Sequence, residues 1–340
     1  MIIVMTPGAS EQDIQQVIKR LEARGYGHHV SRGVERTLIG AIGTPEGEKE
    51  AAAEQLLRLP AVERVIPILK PYKFVSREHQ RAPLPVKIGD FPFGGTKIGV
   101  IAGPCSVESR EQTVDAARAV KAAGAVVLRG GAYKPRTSVY AFQGLGERGL
   151  DYLESARGET GLPIVTEVTD IRQVEALAAR VDALQIGARN MHNFDLLKEV
   201  GSVRKPIVLK RGWAATVGEW LRAAEYIAAS GNLNIILCER GIRTYETETR
   251  FTLDLSGLAV AKMETHLPVI ADPSHATGTH KLVPQMALAA IAAGADGVMV
   301  EVHPHPDQAL CDGPQSLTPK RFMALMQDVR KVAEAVGREL

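Results

Sequence analysis

Apolar and polar positions alternate along this chain in two rhythms. Over the first seventy residues, positions 2–5 read as a short strand, after which Ile14, Val17, Ile18 and Leu21 recur at i, i+3, i+4 and i+7. That spacing is the stripe of an amphipathic helix, with Ser10 and Asp13 placed as a capping box and Gly25 as a stop. Positions 28–31 and 35–42 read as strands, 48–59 as a second helix and 62–69 as a closing strand. The order βαββαβ is that of a ferredoxin-like domain. Pro71, Pro83, Pro85 and Pro92, set among polar residues, mark 71–96 as a linker that leads into a second domain.

From position 97 the rhythm changes to apolar runs rich in Val and Ile, each followed by a helix-like stretch. The runs are 98–102, 125–128, 163–166, 183–186, 206–209, 234–237, 267–271 and 297–300, eight in all. Thr216 with Glu219 starts one intervening helix as a capping box, and Phe322, Leu325, Met326 and Val329 mark the last one. Eight strand–helix repeats in roughly 265 residues predict a (β/α)8 TIM barrel, whose usual size is ~250. A doubly wound open sheet ranks second, because no G-x-G-x-x-G turn follows the first run. The expected organisation is therefore an α/β chain with a ferredoxin-like domain at 1–70, a linker at 71–96 and a barrel at 97–340.

Composition narrows the partners. The 41 Lys and Arg against 39 Asp and Glu leave a net charge of +2 across 340 residues. No global excess of positive charge is available to hold nucleic acid or an anionic membrane, so any strong anion site must be local. Cys105, Cys238 and Cys311 are odd in number and far apart, which argues against a disulfide framework and for a reducing compartment. The first residues lack a signal-peptide pattern and no apolar run reaches ~18, so the expected location is cytoplasmic.

Chemistry in a TIM barrel sits at the C-terminal ends of the strands. The polar residues at or just past the predicted ends are Cys105, Arg129, Glu167, Arg189, Lys210 with Arg211, Glu239 with Arg240, Asp272 with His275, and Glu301. Buried rims seldom carry so many charges without a ligand, since an unpaired ion costs several kcal/mol. Cys105, His275, Glu301 and, in the next loop, Asp312 offer a thiolate, an imidazole and two carboxylates, a set suited to Mn2+, Fe2+, Co2+ or Zn2+. No compact ligand motif supports it. Taken singly, Cys105 also reads as a small buried hydrophobe, His275 as a satisfied histidine and Asp312 as the start of an Asp-Gly turn. Cys238, Cys311, His303 and His305 keep such structural readings.

Arg129, Lys134, Arg136, Arg189, Lys210 and Arg240 form a second, cationic subset. Six cations converging on one funnel imply a heavily anionic ligand, because phosphate or carboxylate must offset their repulsion. Arg129-Gly130-Gly131 and Gly187-Ala188-Arg189 place small residues beside a cation, where backbone N–H groups can approach an oxyanion. Arg211 and Arg243 read instead as surface ion-pair partners.

Five stretches now carry a resemblance: Ile101-Ala102-Gly103-Pro104-Cys105-Ser106; Leu128-Arg129-Gly130-Gly131-Ala132-Tyr133-Lys134-Pro135-Arg136-Thr137-Ser138; Gln185-Ile186-Gly187-Ala188-Arg189-Asn190; Leu209-Lys210-Arg211-Gly212; and Asp272-Pro273-Ser274-His275. Together, and in this order, they resemble the 3-deoxy-D-arabino-heptulosonate 7-phosphate (DAHP) synthase family. Lys70-Pro71-Tyr72-Lys73 and the front domain resemble its subgroup with a ferredoxin-like regulatory domain. The resemblance implies condensation of phosphoenolpyruvate with erythrose 4-phosphate, releasing phosphate, at the head of the shikimate pathway. It assigns phosphoenolpyruvate to Arg129, Lys134, Ala188, Arg189, Lys210 and Arg240, with Glu167 lining the pocket. Lys134, Pro135, Arg136 and Thr137 receive the erythrose phosphate. Cys105, His275, Glu301 and Asp312 become ligands of one divalent metal ion that polarises the aldehyde, and Lys134 or a metal-bound water becomes the proton donor.

The nearest rival is 3-deoxy-D-manno-octulosonate 8-phosphate synthase, which uses arabinose 5-phosphate. Its pattern at Lys134 resembles Lys-Ala-Asn-Arg rather than the Lys-Pro-Arg-Thr-Ser of this chain, which favours erythrose 4-phosphate. A non-catalytic amino-acid sensor is the rival of another class. After the His275 motif the family usually presents a basic residue where this chain has Thr279-His280 before Lys281, which leaves open whether that loop contacts an anion. Family precedent further implies a homotetramer and feedback by an aromatic amino acid, Tyr or Phe, with His29 and Ser31 as candidate effector contacts.

Overall fold

The computed structural model describes residues 1–32, 36–45, 48–66, 71–78 and 80–340, with Glu50 by its backbone alone. Glu35, residues 67–70 and His79, which the sequence reading places in two strands and the linker, lie outside the described residues. The chain divides into two compact units, Met1–Pro71 and Tyr72–Leu340.

In the first unit, strands β1 (Ile2–Met5), β2 (Gly27–Arg32), β3 (Thr37–Ile42) and β4 (Val62–Ile66) form an antiparallel sheet in the order β2-β3-β1-β4. Helices Glu11–Glu22 and Lys49–Leu57 complete the ferredoxin-like arrangement. The expected capping box is present: Ser10 Oγ accepts the Asp13 N–H while Asp13 accepts the Ser10 N–H. Ile14, Val17, Ile18 and Leu21 are the buried face of that helix and pack with Ile3, Met5 and Ile39 from the sheet. Side chains alternate across a strand, so Val30, which packs on this core, puts His29 and Ser31 on the opposite face. Both are exposed there, paired in register with Gly40 and Leu38.

In the second unit all eight predicted runs become parallel strands: β7 (Gly99–Gly103), β8 (Val127–Arg129), β9 (Ile164–Val168), β10 (Ala183–Ile186), β11 (Ile207–Lys210), β12 (Ile235–Glu239), β13 (Val269–Ala271) and β14 (Gly297–Glu301). Strand β14 pairs with β7, so the sheet closes into a barrel and the open doubly wound alternative falls. Period-two alternation divides the apolar side chains. Val100, Ala102, Leu128 and Ile164 join the large core that includes the surrounding helices, whereas Ile101, Val127, Val165, Val208 and Met299 fill a separate inner core.

Within the proline-rich linker the structure has a feature that composition does not announce. Strands β5 (Val86–Ile88) and β6 (Phe91–Phe93) form a hairpin whose Val86, Ile88 and Phe93 belong to the inner core. Gly99, at the start of β7, leaves room for Phe93: a Cβ there would lie 2.2 Å from its ring. Gly89 and Gly94 likewise abut Pro163 and Pro268, which precede β9 and β13. The hairpin therefore stoppers the N-terminal end of the barrel, leaving the opposite end for chemistry. No helix among the described residues is long and apolar enough to cross a membrane.

Phe93→Ala should cost about 3–5 kcal/mol, the range for deleting a buried aromatic ring. Urea denaturation of the two proteins measures it, and an unchanged midpoint would mean that the plug adds nothing to the barrel.

Candidate active site

Parallel strands in a closed barrel bring their C-terminal ends into one ring, and the side chains gathered there are those of the predicted list. Arg129 ends β8, Glu167 lies on β9, Lys210 ends β11 and Glu301 ends β14, with Arg240 one residue past β12. Cys105 follows β7, Ala188 and Arg189 begin a one-turn helix after β10, and His275 lies on the short helix Pro273–Thr277 after β13.

Donor atoms of Cys105, His275, Glu301 and Asp312 all lie within 4.8 Å of one another. Cys105 Sγ is 3.3 Å from Asp312 Oδ2, and His275 Nε2 is 3.4 Å from Glu301 Oε1 and 3.7 Å from Asp312 Oδ2. The spare atoms of the cluster are tied down behind it. Gln315 Nε2 donates to Glu301 Oε2 at 2.6 Å, Arg250 pairs with Asp312 Oδ1 at 3.2 Å, and His275 Nδ1 meets Asp272 Oδ2 at 2.7 Å. Asp312 itself is left-handed, with φ 52°, and is the one non-glycine with positive φ among the described residues.

Electrostatics agree with a cation at the centre. Burial alone raises a carboxyl, yet the charges of His275 and Arg250 hold Asp312 well below its ordinary range, and those of His275 and Arg129 pull Glu301 down as well. The Cys105 thiol is pushed well up by its hydrogen bond with Cys311, then by burial and the Glu301 charge. Among protein groups alone the thiolate is disfavoured, and a divalent cation is the group that reverses this. One sulfur, one nitrogen and two carboxylates, buried and convergent, fit a first-row divalent ion.

Above the cluster opens a cavity of about 260 Å3 lined by Lys134, Pro135, Arg136, Thr137, Glu167, Arg189, Arg240 and Arg250, together with His275 and Asp312. Arg129 and Lys210 lie deeper, 3% and 4% exposed, paired with Glu301 and Asp272 at 2.6 Å each. Lys134 Nζ reaches Cys105 Sγ at 3.2 Å and the Cys105 carbonyl at 3.0 Å. Arg189 donates to Thr137 Oγ1 at 3.1 Å and lies over Trp213. Arg240 stacks on Phe251, 4.2 Å from the ring centroid, and burial lowers its pKa to about 10, so it stays charged at neutral pH. Arg240 Nη1 and Arg129 Nε are buried without a hydrogen-bond partner among the described residues. Arg240 lines the cavity, and an unsatisfied buried guanidinium nitrogen among other cations calls for an anion.

Several expectations change. The N–H groups of Gly130 and Gly131 are not open to an oxyanion, because they donate to the carbonyls of Val165 and Cys105. These glycines instead make space: a Cβ on Gly131 would lie 2.7 Å from Lys134 Cδ, and one on Gly187 would lie 2.0 Å from Glu167 Oε1. Arg211 is an ion-pair partner, as read, but a buried one, 2.8 Å from both Glu239 and Asp254. Cys311 is more than a packing residue, since it lines the cavity with its sulfur 3.2 Å from that of Cys105. His280 faces a different cavity, of about 560 Å3, beside Arg321 and Asp307, so the altered loop after His275 adds no cation here. Sequence reasoning misses Arg250, Trp213 and Gln315. Trp213 follows Lys210-Arg211-Gly212 closely enough to be suspected, but nothing sets Arg250 apart within a polar loop.

Comparison with known proteins places this geometry. The sequence model of the DAHP synthetase I family matches residues 77–337, and that of the DAHP synthase ferredoxin-like domain matches residues 1–70. A phospho-2-dehydro-3-deoxyheptonate aldolase of Thermotoga maritima is 49% identical over 337 residues, 99% of each chain. A crystal structure of a phospho-2-dehydro-3-deoxyheptonate aldolase (DAHP synthase) from Thermotoga maritima superimposes with a TM-score of 0.81 at 47% identity, covering 99% of this chain and 98% of that one. A 2-dehydro-3-deoxyphosphooctonate aldolase of Syntrophotalea carbinolica is more distant, 37% identical over 254 residues, 69% of this chain and 91% of that protein.

Cys105→Ser should leave the fold intact and weaken Mn2+ binding by more than about 100-fold, beyond the 10–100-fold typical of a change behind the ligands. Calorimetric titration of chelator-treated protein reads the affinity, and undiminished binding would remove Cys105 from the ligand set.

Proposed function

The chain belongs to the DAHP synthetase I family, and from that membership and the cation-lined cavity we infer that it is a DAHP synthase, condensing phosphoenolpyruvate with D-erythrose 4-phosphate to give DAHP and inorganic phosphate. The observation that carries the reading is the convergence of Arg129, Lys134, Arg136, Arg189, Lys210 and Arg240 on the same barrel end as a four-donor cluster. Two phosphates and a carboxylate bring roughly five negative charges near neutral pH, a load that this many fixed cations can meet. A non-catalytic sensor would have no use for them.

The deep cations take phosphoenolpyruvate. Arg129 and Lys210 sit at the barrel floor and Arg240 presents its unsatisfied Nη1, with Lys134, Ala188 and Arg189 completing the seat and Glu167 lining it. Lys134, Pro135, Arg136 and Thr137, on the loop at the cavity wall, receive the phosphate of the four-carbon sugar. This layout turns C3 of phosphoenolpyruvate toward the aldehyde carbon, and fixing two reactants in one geometry supplies much of the rate. A divalent ion held by Cys105, His275, Glu301 and Asp312 would supply Lewis-acid polarisation of the aldehyde oxygen. When the new C–C bond forms, Lys134 Nζ is placed to give a proton to the alkoxide. Water then adds at C2, and the phosphohemiketal loses phosphate by C–O cleavage while Arg189 and Arg240 stabilise the departing charge.

The front unit is read as the regulatory domain of a homotetramer that responds to Tyr or Phe. His29 and Ser31 support this by lying exposed on the same sheet face as the exposed apolar side chains Leu38 and Ile42. An aromatic amino acid offers a ring for the apolar residues and polar groups for the other two.

Phosphate release from phosphoenolpyruvate, measured with each aldose phosphate in the presence of Mn2+, should be fast with erythrose 4-phosphate and at least 100-fold slower with arabinose 5-phosphate, about 2.7 kcal/mol of discrimination. It should vanish on chelation and return with metal. Equal rates with both sugars would overturn the substrate assignment. For the regulatory reading, His29→Ala with Ser31→Ala should keep basal turnover and lose inhibition by Tyr or Phe, and retained inhibition would move the effector site elsewhere.

A further inference from the structure

One buried carboxylate joins the metal donors to the substrate cations while belonging to neither set. Asp272 follows β13 and is 1% exposed. Its Oδ1 accepts the backbone N–H of His275 at 3.0 Å and so caps the helix Pro273–Thr277. Its Oδ2 is shared: Lys210 Nζ lies 2.6 Å away and His275 Nδ1 2.7 Å away.

We propose that Asp272 is a positioning residue that couples metal affinity to the substrate cation Lys210 through this single shared oxygen. The proposal rests on the reading of the cavity as a DAHP synthase site. A carboxylate only accepts, so the imidazole proton sits on Nδ1 and the Nε2 lone pair is left facing Glu301 and Asp312. Asp272 thus sets the tautomer and the ring orientation of a metal ligand. The same oxygen holds Lys210, the cation at the end of β11. Charge drawn toward the Lys210 ammonium is charge withheld from the imidazole, and an anionic substrate that engages Lys210 returns it. Metal and substrate then strengthen each other's binding through Asp272, and linkage makes the effect mutual.

The test is a set of Mn2+ titrations on chelator-treated full-length protein, comparing the parent with Asp272→Asn, Lys210→Met and the double variant. Asparagine retains a side-chain oxygen to cap the helix but cannot accept from both donors at the second position. Asp272→Asn should weaken Mn2+ binding about 10–100-fold with unchanged circular dichroism. Lys210→Met should tighten Mn2+ binding several-fold in the parent and leave it unchanged beside Asp272→Asn, a non-additive cycle. Parent-like Mn2+ affinity in Asp272→Asn, or additive effects in the cycle, overturns the coupling. Should Asp272→Asn fail to fold, Lys210→Met alone decides, since unaltered Mn2+ affinity there is incompatible with a shared oxygen. A parent protein that bound no Mn2+ at all would fail the reading of the site itself.

Discussion

Ions this deep in a protein survive only beside counter-ions, and that requirement organises the open end of the barrel. Arg129, Lys210 and Glu301 are almost wholly buried, and each has an opposite charge at 2.6 Å. Removing one partner of such a pair leaves the other uncompensated, at a cost of about 3–5 kcal/mol. The partners come from strands that are distant in sequence: β8 faces β14, and β11 faces the residue just past β13. Closing the barrel, by pairing β14 with β7, is what brings Glu301 to Arg129, whereas Lys210 and Asp272 meet across the intervening β12. The fold and the charge balance are therefore one constraint at Arg129 and Glu301, because an open sheet would leave those two strand ends apart.

Neutralisation is nevertheless incomplete, and the remainder carries the function. The buried Arg240 nitrogen that lacks a partner belongs to a residue of the cavity wall, where an anion would meet it. Aromatic faces help to hold the arginines, with Arg240 over Phe251 and Arg189 over Trp213. A ring stabilises a guanidinium without occupying its donors, so the N–H groups stay available. Glu167 keeps its place because Gly187 has no side chain to displace it.

Much of this is legible in the residues alone. Period-two and period-3.6 patterns locate every strand of the barrel and the first helix down to its capping box, because those elements bury a regular face. The hairpin at 86–93 escaped, since its three apolar anchors are interrupted by Gly89, Asp90 and Pro92 and resemble a linker. In the site, residues at strand ends could be listed because the fold dictates where they go. Arg250 and Gln315 could not, since irregular loops bring them to the cluster. The small residues beside Arg129 suggest open backbone, whereas the N–H groups of Gly130 and Gly131 are spent on neighbouring carbonyls. Periodicity says nothing about which hydrogen bonds a turn has already made.

Asp312 carries a conflict of interest. Its left-handed backbone suits glycine better than any residue with a side chain, and holding an aspartate there costs about 1 kcal/mol. Drift toward glycine would relax the loop and raise the melting temperature while stripping a carboxylate from the cluster. Selection for durability and selection for turnover thus pull this position in opposite directions. A screen that rewarded heat resistance alone would be expected to find its gains there by discarding catalysis.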